Sequence, residues 1–377
     1  MARQTIGIVG AGQLALMMFE ASLRLDLEIR VLASSEDDTA LRVVPRTRVG
    51  DPRDRSALHS FASEVDVVTF DHELIDIAAV ADLVEAGHLV RPGRRALEVA
   101  VDKGLQHATF RELRIPQPPT CLIDGVEALR EVVGNLGPPV VIKHVRGGYD
   151  GRGVHIVTDL EQLEAHIGSG VIDGSAVLAQ PRIELDAEVA IQVVRSANGE
   201  IVTYPVVRTV QEDGICRMVQ MPADIPDELA LAASEMAVQL ADHLEVVGVL
   251  AVEYFVSNGQ LLINEIAARP HNSGHLTIES CVTSQFENHL RAVAGLPLGS
   301  TTAVVGAAAM VNIIGSEEPP SGGVPCLPID AAVHLYGKAH RPGRKLGHVT
   351  AVGESLDEVT QRARRAARVL EHGGPHT

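Results

Sequence analysis

Leu261-Leu262-Ile263-Asn264-Glu265-Ile266-Ala267-Ala268-Arg269-Pro270-His271-Asn272-Ser273-Gly274-His275 is the stretch that decides how this chain is read. An apolar, strand-like run ends abruptly in Asn, Glu, Arg and two His. Twelve residues before Glu265, Glu253 sits in a second apolar run, Val249-Leu250-Ala251-Val252-Glu253-Tyr254-Phe255. Two short strands, each with one inward carboxylate, can present both to one divalent cation. Oxygen ligands of this kind suit Mg²⁺ that is also held by substrate phosphates. An uncompensated carboxylate inside an apolar run would be costly, so a surface role for Glu253 and Glu265 is the weaker reading. Arg269, His271, Asn272 and His275 would then face an anionic reactant.

Bulk properties narrow the field. A chain of 377 residues has room for two or three domains. Hydrophobic residues make up 46%, which excludes a disordered chain. The net charge of −17 argues against a nucleic-acid binder, since phosphate backbones need a basic face. The absence of Trp removes the best base-stacking side chain. Cys121, Cys216, Cys281 and Cys326 are scattered, with neither metal spacing nor a disulfide framework. The longest apolar stretch, around Ala303 to Ile314, contains Asn312 and is too short to span a membrane. A strand begins almost at once, without a basic leader, and a cytoplasmic location is expected.

Along the chain, residues 5–9, 27–32 and 65–70 read as strands and residues 14–24 as a helix. This alternation predicts a parallel α/β sheet, with ligands beyond the carboxyl ends of its strands. Gly12, Gln13 and Glu73 would fall there. A helix over 101–113 precedes the break Ile115-Pro116-Gln117-Pro118-Pro119, which places a boundary near residue 100. Strands at 176–180, 188–195 and 201–207 predict a mixed sheet. Residues 228–245 form an amphipathic helix, and a β-rich tail closes with a helix at 355–371.

Gly10-Ala11-Gly12-Gln13-Leu14-Ala15 fits the G-x-G-x-x-A pattern of dinucleotide sites. The second strand ends in Val31-Leu32-Ala33, without the acidic residue an adenosine ribose needs. A small polar or phosphorylated ligand at this helix N-terminus is the sharper expectation, with a plain strand-to-helix turn as its rival. Lys143 ends the strand Val140-Val141-Ile142-Lys143, and Arg146-Gly147-Gly148-Tyr149-Asp150-Gly151-Arg152-Gly153 follows. The glycines let backbone N–H groups close over phosphates while Lys143 supplies point charge. The Walker pattern is absent. Lys338, Arg341, Arg344, Lys345 and His348 form a basic cluster in an acidic chain, suited to a phosphomonoester or simply solvated.

Together these strings resemble the ATP-grasp superfamily and, within it, the N5-carboxyaminoimidazole ribonucleotide synthetases. The resemblance runs from Gly12-Gln13 through Phe70-Asp71-His72-Glu73, Gly147 to Gly153 and Asn264 to His275. It continues through Ser284-Gln285-Phe286-Glu287-Asn288-His289-Leu290-Arg291-Ala292 to Arg341-Pro342-Gly343-Arg344-Lys345. It implies a fold of three domains in the α/β and α+β classes. These are a pre-ATP-grasp parallel α/β domain at 1–100, a two-lobed ATP-grasp domain at 101–300 with its small lobe at about 115–180, and a small β-rich C-terminal domain at 301–377. It implies a reaction in purine biosynthesis: ATP and bicarbonate give carboxyphosphate and ADP, and 5-aminoimidazole ribonucleotide (AIR) takes up the carboxyl group on its amine.

The resemblance also distributes roles. Lys143, Arg269, His271, Asn272 and His275 form the catalytic set. ATP would lie on His107, Lys143, Gly148, Tyr149, Asp150, Gly151, Gly153, Glu188, Gln211, Asn264 and Glu265, with Glu188 on its ribose. AIR would lie against Gln13, Glu73, Tyr149, Asp150, Arg152, Arg269, His271 and Asn272, with its phosphate on Lys338 and Arg344. Mg²⁺ would sit on Glu253 and Glu265. A homodimer is implied, and neither nucleic acid nor membrane is an expected partner.

Five positions depart from the pattern. Leu16 stands where Arg is usual, and Leu276 where Trp is commoner. His107 lies near where a Lys or Arg contacts ATP phosphate, and a protonated His107 would compensate. Leu178-Ala179-Gln180-Pro181 lacks the Glu of the adenine hinge. Arg208-Thr209-Val210-Gln211 replaces a more usual Glu-Asn-x-His. Another phosphorylated amine as acceptor, or a non-catalytic nucleotide-binding protein, are the alternatives these changes leave open.

Overall fold

The computed structural model describes residues 3–147, 153–318 and 330–372. The strands are β1 Thr5–Val9, β2 Glu28–Ala33, β3 Arg46–Val49 and β4 Val67–Phe70, then β5 Cys121–Ile123, β6 Val140–His144, β7 Val154–Val157 and β8 Val177–Pro181. Next come β9 Ala187–Arg195, β10 Ile201–Thr203, β11 Val207–Glu212, β12 Ile215–Met221, β13 Gly248–Ser257 and β14 Gln260–Ala267. The last three are β15 Ala307–Ile314, β16 Ala332–Leu335 and β17 Lys345–Gly353.

The N-terminal sheet runs β3-β2-β1-β4, parallel throughout, as the strand–helix alternation predicts. Its faces carry separate apolar cores. Ile6, Ile8 and Val31 pack with Leu14 and Met18 of the helix Gln13–Ser22 on one face. Val9, Leu32 and Phe70 pack with Phe61 and Leu83 on the other. Burial on both faces is what a parallel sheet requires.

The remaining strands are not mixed, as the sequence suggested, but antiparallel in every pairing. β8 belongs to a small sheet in the order β5-β8-β6-β7, with a separate core around Ile142, Leu163 and Val133. β9 belongs to a sheet of nine strands, ordered β14-β13-β9-β11-β12-β15-β17-β16 with β10 beside β9. Runs of consecutive apolar residues look alike in parallel and in doubly covered antiparallel sheets, and this is why the pattern misled. Backbone pairing crosses residue 301, because Met218 to Met221 of β12 pair with Val311 to Ala308 of β15. The C-terminal helix Leu356–His372 covers β15 and β17, burying Val359, Ala363, Ala366 and Ala367 at helical spacing.

The β13–β14 hairpin is set by its turn. Asn258 and Gly259 both take positive φ, 49° and 70°, the geometry a two-residue hairpin loop favours and that Asn-Gly supplies at little cost. That register holds from Ser257 opposite Gln260 to Tyr254 opposite Ile263, and a one-residue shift beyond Tyr254 then places Glu253 directly opposite Glu265. A one-residue slip would turn every side chain of one strand to the other face.

Candidate active site

The cavity that matters lies where the carboxyl ends of β1, β2 and β4 meet β14 and the segment after it. It holds about 390 Å³ and is lined by Gln13, Asp71, Glu73, Lys103, Glu265, Arg269, His271, Asn272, His275, Lys338 and Lys345, among others. Residues spaced over the whole chain therefore share one wall.

At one end are the paired carboxylates. Glu265 forms an ion pair with Lys103, the first residue of the helix Lys103–Glu112. Burial alone would raise the Glu265 carboxyl. Lys103 and Lys143 outweigh it and hold that carboxyl at about 2. The same burial works against the Lys103 charge, but Glu265, Glu73 and Glu253 keep its pKa above the usual lysine value. Glu253 goes the other way. Burial first, then Glu265 and Glu188, push it up to about 8. Its Oε1 lies 3.7 Å from His271 Nε2. Lys143, buried on β6, donates to Asn264 Oδ1 at 2.8 Å and stands 5.6 Å from the centre of the Phe255 ring. Burial pulls its ammonium down to about 8, and Lys103 adds to the fall. Glu188 lies close enough to interact with Lys143 and is hydrogen-bonded by Gln211; its carboxyl is raised by burial.

Among the described residues, no group of three or more His, Cys, Asp or Glu is arranged to hold a metal ion. Two half-buried carboxylates face to face nonetheless fit a cation that takes its other oxygens from water and phosphate. The cations Lys103 and Lys143 beside them fit those phosphates.

The rest of the cavity wall is built for a polar anion. Arg269 Nη2 donates to Glu73 Oε2 at 3.3 Å, while Glu73 Oε1 and Arg269 Nε are buried with no protein partner among the described residues. Such orphans mark where a ligand's polar groups belong. Lys338 donates to Gln13 Oε1 at 2.6 Å and lies 5.5 Å from the centre of the Tyr336 ring. Asn272 and Asn312 exchange amide hydrogen bonds of 3.1 and 2.8 Å. The structure thus brings Gln13, Glu73, Arg269, His271, Asn272, His275 and Lys338 together. Gly153 takes φ +78° and its carbonyl accepts from His144 N at 2.8 Å. Gly148, Tyr149, Asp150, Gly151 and Arg152 lie outside the described residues.

Three expectations change. Arg344 does not line the cavity; it donates to Ala339 O at 3.2 Å, and buried Lys345, at the start of β17, lines the cavity wall. Arg344 lies in the turn before β17, and its guanidinium folds back onto the preceding segment. His107 is not a cation. Burial pushes its imidazole down to about 4, and the ring is engaged by Gln117 and, at 3.4 Å, by Gln180. Lys103, one turn earlier on the same helix, supplies positive charge beside Glu265. Sequence reading passed over it, although Asp102 caps that helix through Leu105 N and fixes where Lys103 points. Finally, the Gly10-Ala11-Gly12 turn is packed against the protein's own carboxylate. Asp71 Oδ2 accepts from Gly12 N at 2.6 Å, and a Cβ on Gly10 would stand 1.6 Å from Asp71 Oδ1. One N–H of that helix end is therefore already satisfied.

Comparison with known proteins agrees with this geometry. Residues 3–101 match the ribonucleotide synthetase preATP-grasp domain, 108–286 the ATP-grasp domain and 308–362 the phosphoribosylaminoimidazole carboxylase C-terminal domain. N5-carboxyaminoimidazole ribonucleotide synthase of Mycobacterium bovis is 43% identical over 98% of this chain and 88% of its own. The crystal structure of the Thermus thermophilus synthetase superposes with a TM-score of 0.86 at 37% identity, covering 99% of both chains. The Aspergillus clavatus enzyme in complex with ADP and 5-aminoimidazole ribonucleotide gives 0.86 at 29% identity over 98% of both. No helix among the described residues is long and apolar enough to cross a membrane. With this identity over nearly its full length, the chain belongs to the N5-carboxyaminoimidazole ribonucleotide synthase family of ATP-grasp ligases.

Proposed function

We propose that this chain carboxylates AIR at the expense of ATP and bicarbonate, in the cytoplasm and as a homodimer. The observation that carries the reading is one cavity whose wall holds Lys103, Glu265, Arg269, Lys338 and Lys345, with Glu253 paired opposite Glu265 and Lys143 close enough to act on it. In the first step a bicarbonate oxygen attacks the γ-phosphorus of ATP, and ADP leaves. In the second, the AIR amine takes the carboxyl carbon of carboxyphosphate, directly or as released CO₂. Phosphate departs and the amine loses a proton.

Each residue set answers one need. Glu253 and Glu265 would hold Mg²⁺, which supplies charge stabilisation to the phosphates when bound. Lys103 and Lys143 would neutralise charge growing on the transferred phosphoryl group. Glu188 and Gln211 would meet the ribose, and His107 belongs to the neutral wall behind the adenine. Gly148, Tyr149, Asp150, Gly151, Arg152 and Gly153 would cover the phosphates and reach the base of AIR. Arg269, His271, Asn272 and His275 would orient the two reactants, with Glu73 and Gln13 on AIR. Lys338 and Lys345 would hold its phosphate, as point charges rather than through a bidentate fork. The boundaries 1–100, 101–300 and 301–377 remain our division of the chain.

The test is ADP release with Mg-ATP and bicarbonate, with and without AIR. Strong stimulation by AIR is expected. ATP binding without stimulation would transfer the reading to a different amine.

A further inference from the structure

The string Ser284-Gln285-Phe286-Glu287-Asn288-His289 has no role in the reading above, yet the side chain of its first helical residue makes three hydrogen bonds to residues of the cavity wall. Gln285 is fully buried at the start of the helix Gln285–Ala294, capped by Ser284. Its Oε1 accepts from His271 N at 3.0 Å. Its Nε2 donates to His271 O at 2.7 Å and to His275 Nδ1 at 3.0 Å. Its own backbone N donates to Thr277 Oγ1 at 2.9 Å, and that hydroxyl in turn donates to Gly274 O at 2.6 Å. The turn His271–His275 is thus laced to one side chain. It is laced tightly: a Cβ on Gly274 would stand 2.3 Å from Gln285 Oε1.

The orientation of this amide is dictated, not chosen. Reversing it would set an N–H₂ against the His271 N–H and an oxygen against the His271 carbonyl, losing both bonds. With the amide so fixed, His275 Nδ1 must accept. The imidazole therefore carries its proton on Nε2, a buried atom with no protein partner among the described residues, in a side chain that lines the cavity.

We propose that Gln285 is the positioning residue of this site: it fixes the His271–His275 turn and holds His275 as a neutral Nε2–H donor toward a ligand oxygen in the cavity. A neutral donor stabilises charge developing on an oxygen without transferring a proton in the ground state. The placement of that oxygen rests on the functional reading above; the tautomer does not.

Histidine-labelled full-length protein provides a readout that a merely structural role would not move. Long-range ¹⁵N–¹H NMR, with His275 assigned by loss of its signals in a His275→Asn variant, should show Nδ1 unprotonated and Nε2 protonated. Gln285→Glu replaces the donor with an acceptor, so His275 should gain a proton on Nδ1. Its kcat should fall about 10- to 100-fold while the KM for ATP stays within about twofold. Gln285→Met, which keeps length without polarity, should lose kcat comparably and retain a cooperative melt. Wild-type His275 protonated on Nδ1, a tautomer unchanged in Gln285→Glu, or an unchanged kcat in both variants would overturn the proposal. If wild-type ADP release were indifferent to AIR, the functional reading would fall, while the tautomer would still decide the part played by Gln285.

Discussion

Two polar clusters lie close together on paired strands and the helix beside them, and they handle burial differently. Around Glu265 the solution is charge: Glu265 is set against Lys103 and Lys143, and its negative charge helps to raise Glu253 opposite it. Around His107 it is neutrality: His107, Gln117, Gln180 and Thr120 hydrogen-bond one another with no formal charge. Register relates them closely, since Lys143 pairs with Leu178 on β8 and Val141 with Gln180. Buried charge is retained where a charged reactant is to meet it, because a carboxylate pair without a purpose would be costly. Where only a flat neutral ring needs a wall, amides and an uncharged imidazole are cheaper. The missing hinge carboxylate and the missing cation at position 107 then read as one change rather than two. The two side chains meet in space, 3.4 Å apart.

The comparison breaks most visibly at Glu265. Glu265→Gln keeps the shape and removes the charge, so AIR-dependent ADP release should fall by about 10³-fold with the fold intact by circular dichroism. Unchanged turnover would sink the cation assignment.

A second uncharged histidine, outside that cluster, tests the cost of buried neutrality in acid. His289, fully buried, bridges the N-terminal and central sheets: Nε2 meets Thr69 Oγ1 at 2.9 Å, and Nδ1 accepts from Val249 N at 3.1 Å. Burial pushes it down to about 3. A histidine whose folded pKa is depressed contributes its full stability above about pH 6.5 and loses it as pH falls toward 3, because the unfolded chain binds the proton first. Stability measured by urea unfolding should therefore drop more steeply in wild type than in His289→Gln. The difference accumulates at about 1.4 kcal/mol per pH unit, or about 2 kcal/mol by pH 5. Parallel curves for the two proteins would refute this.

A charged pair can also be put into the neutral cluster. His107→Lys alone buries an unpaired cation, and Gln180→Glu alone an unpaired carboxylate; each should destabilise. Together they should recover a coupling energy of about 1–3 kcal/mol in a double-mutant cycle read by thermal unfolding. Additive effects would mean the two positions are independent.

The smallest effect separates neighbours at the far end of the cavity. Lys345→Ala should raise the KM for AIR about tenfold, and Arg344→Ala should leave it within about twofold, if inward-facing charge is what holds the phosphate. Equal effects would restore Arg344 to the site.

Much of this was legible in the chain. The parallel sheet, the Gly-rich strand–loop–strand, the amphipathic helices and the carboxylates of β13 and β14 each follow from periodicity or spacing within about twenty residues, the range over which local propensity acts. The Asn-Gly turn that pairs β13 with β14 is written in the sequence, but Glu253 and Glu265 face each other only because the register shifts by one residue between Glu253 and Tyr254. What the sequence did not disclose is which distant groups arrive beside them. Lys103 reaches Glu265 across 162 positions, Lys338 reaches Gln13 across 325, and Gln285 clamps a turn beginning fourteen residues earlier from a helix with its own core. Tertiary packing settled the choice of Lys345 over Arg344 and the neutrality of His107, because where a side chain turns, and how much water it keeps, are properties of packing rather than of the chain. Local sequence determined the carriers of chemistry. Tertiary structure decided their company, since the Coulomb and desolvation energies that set a pKa depend on distance through space.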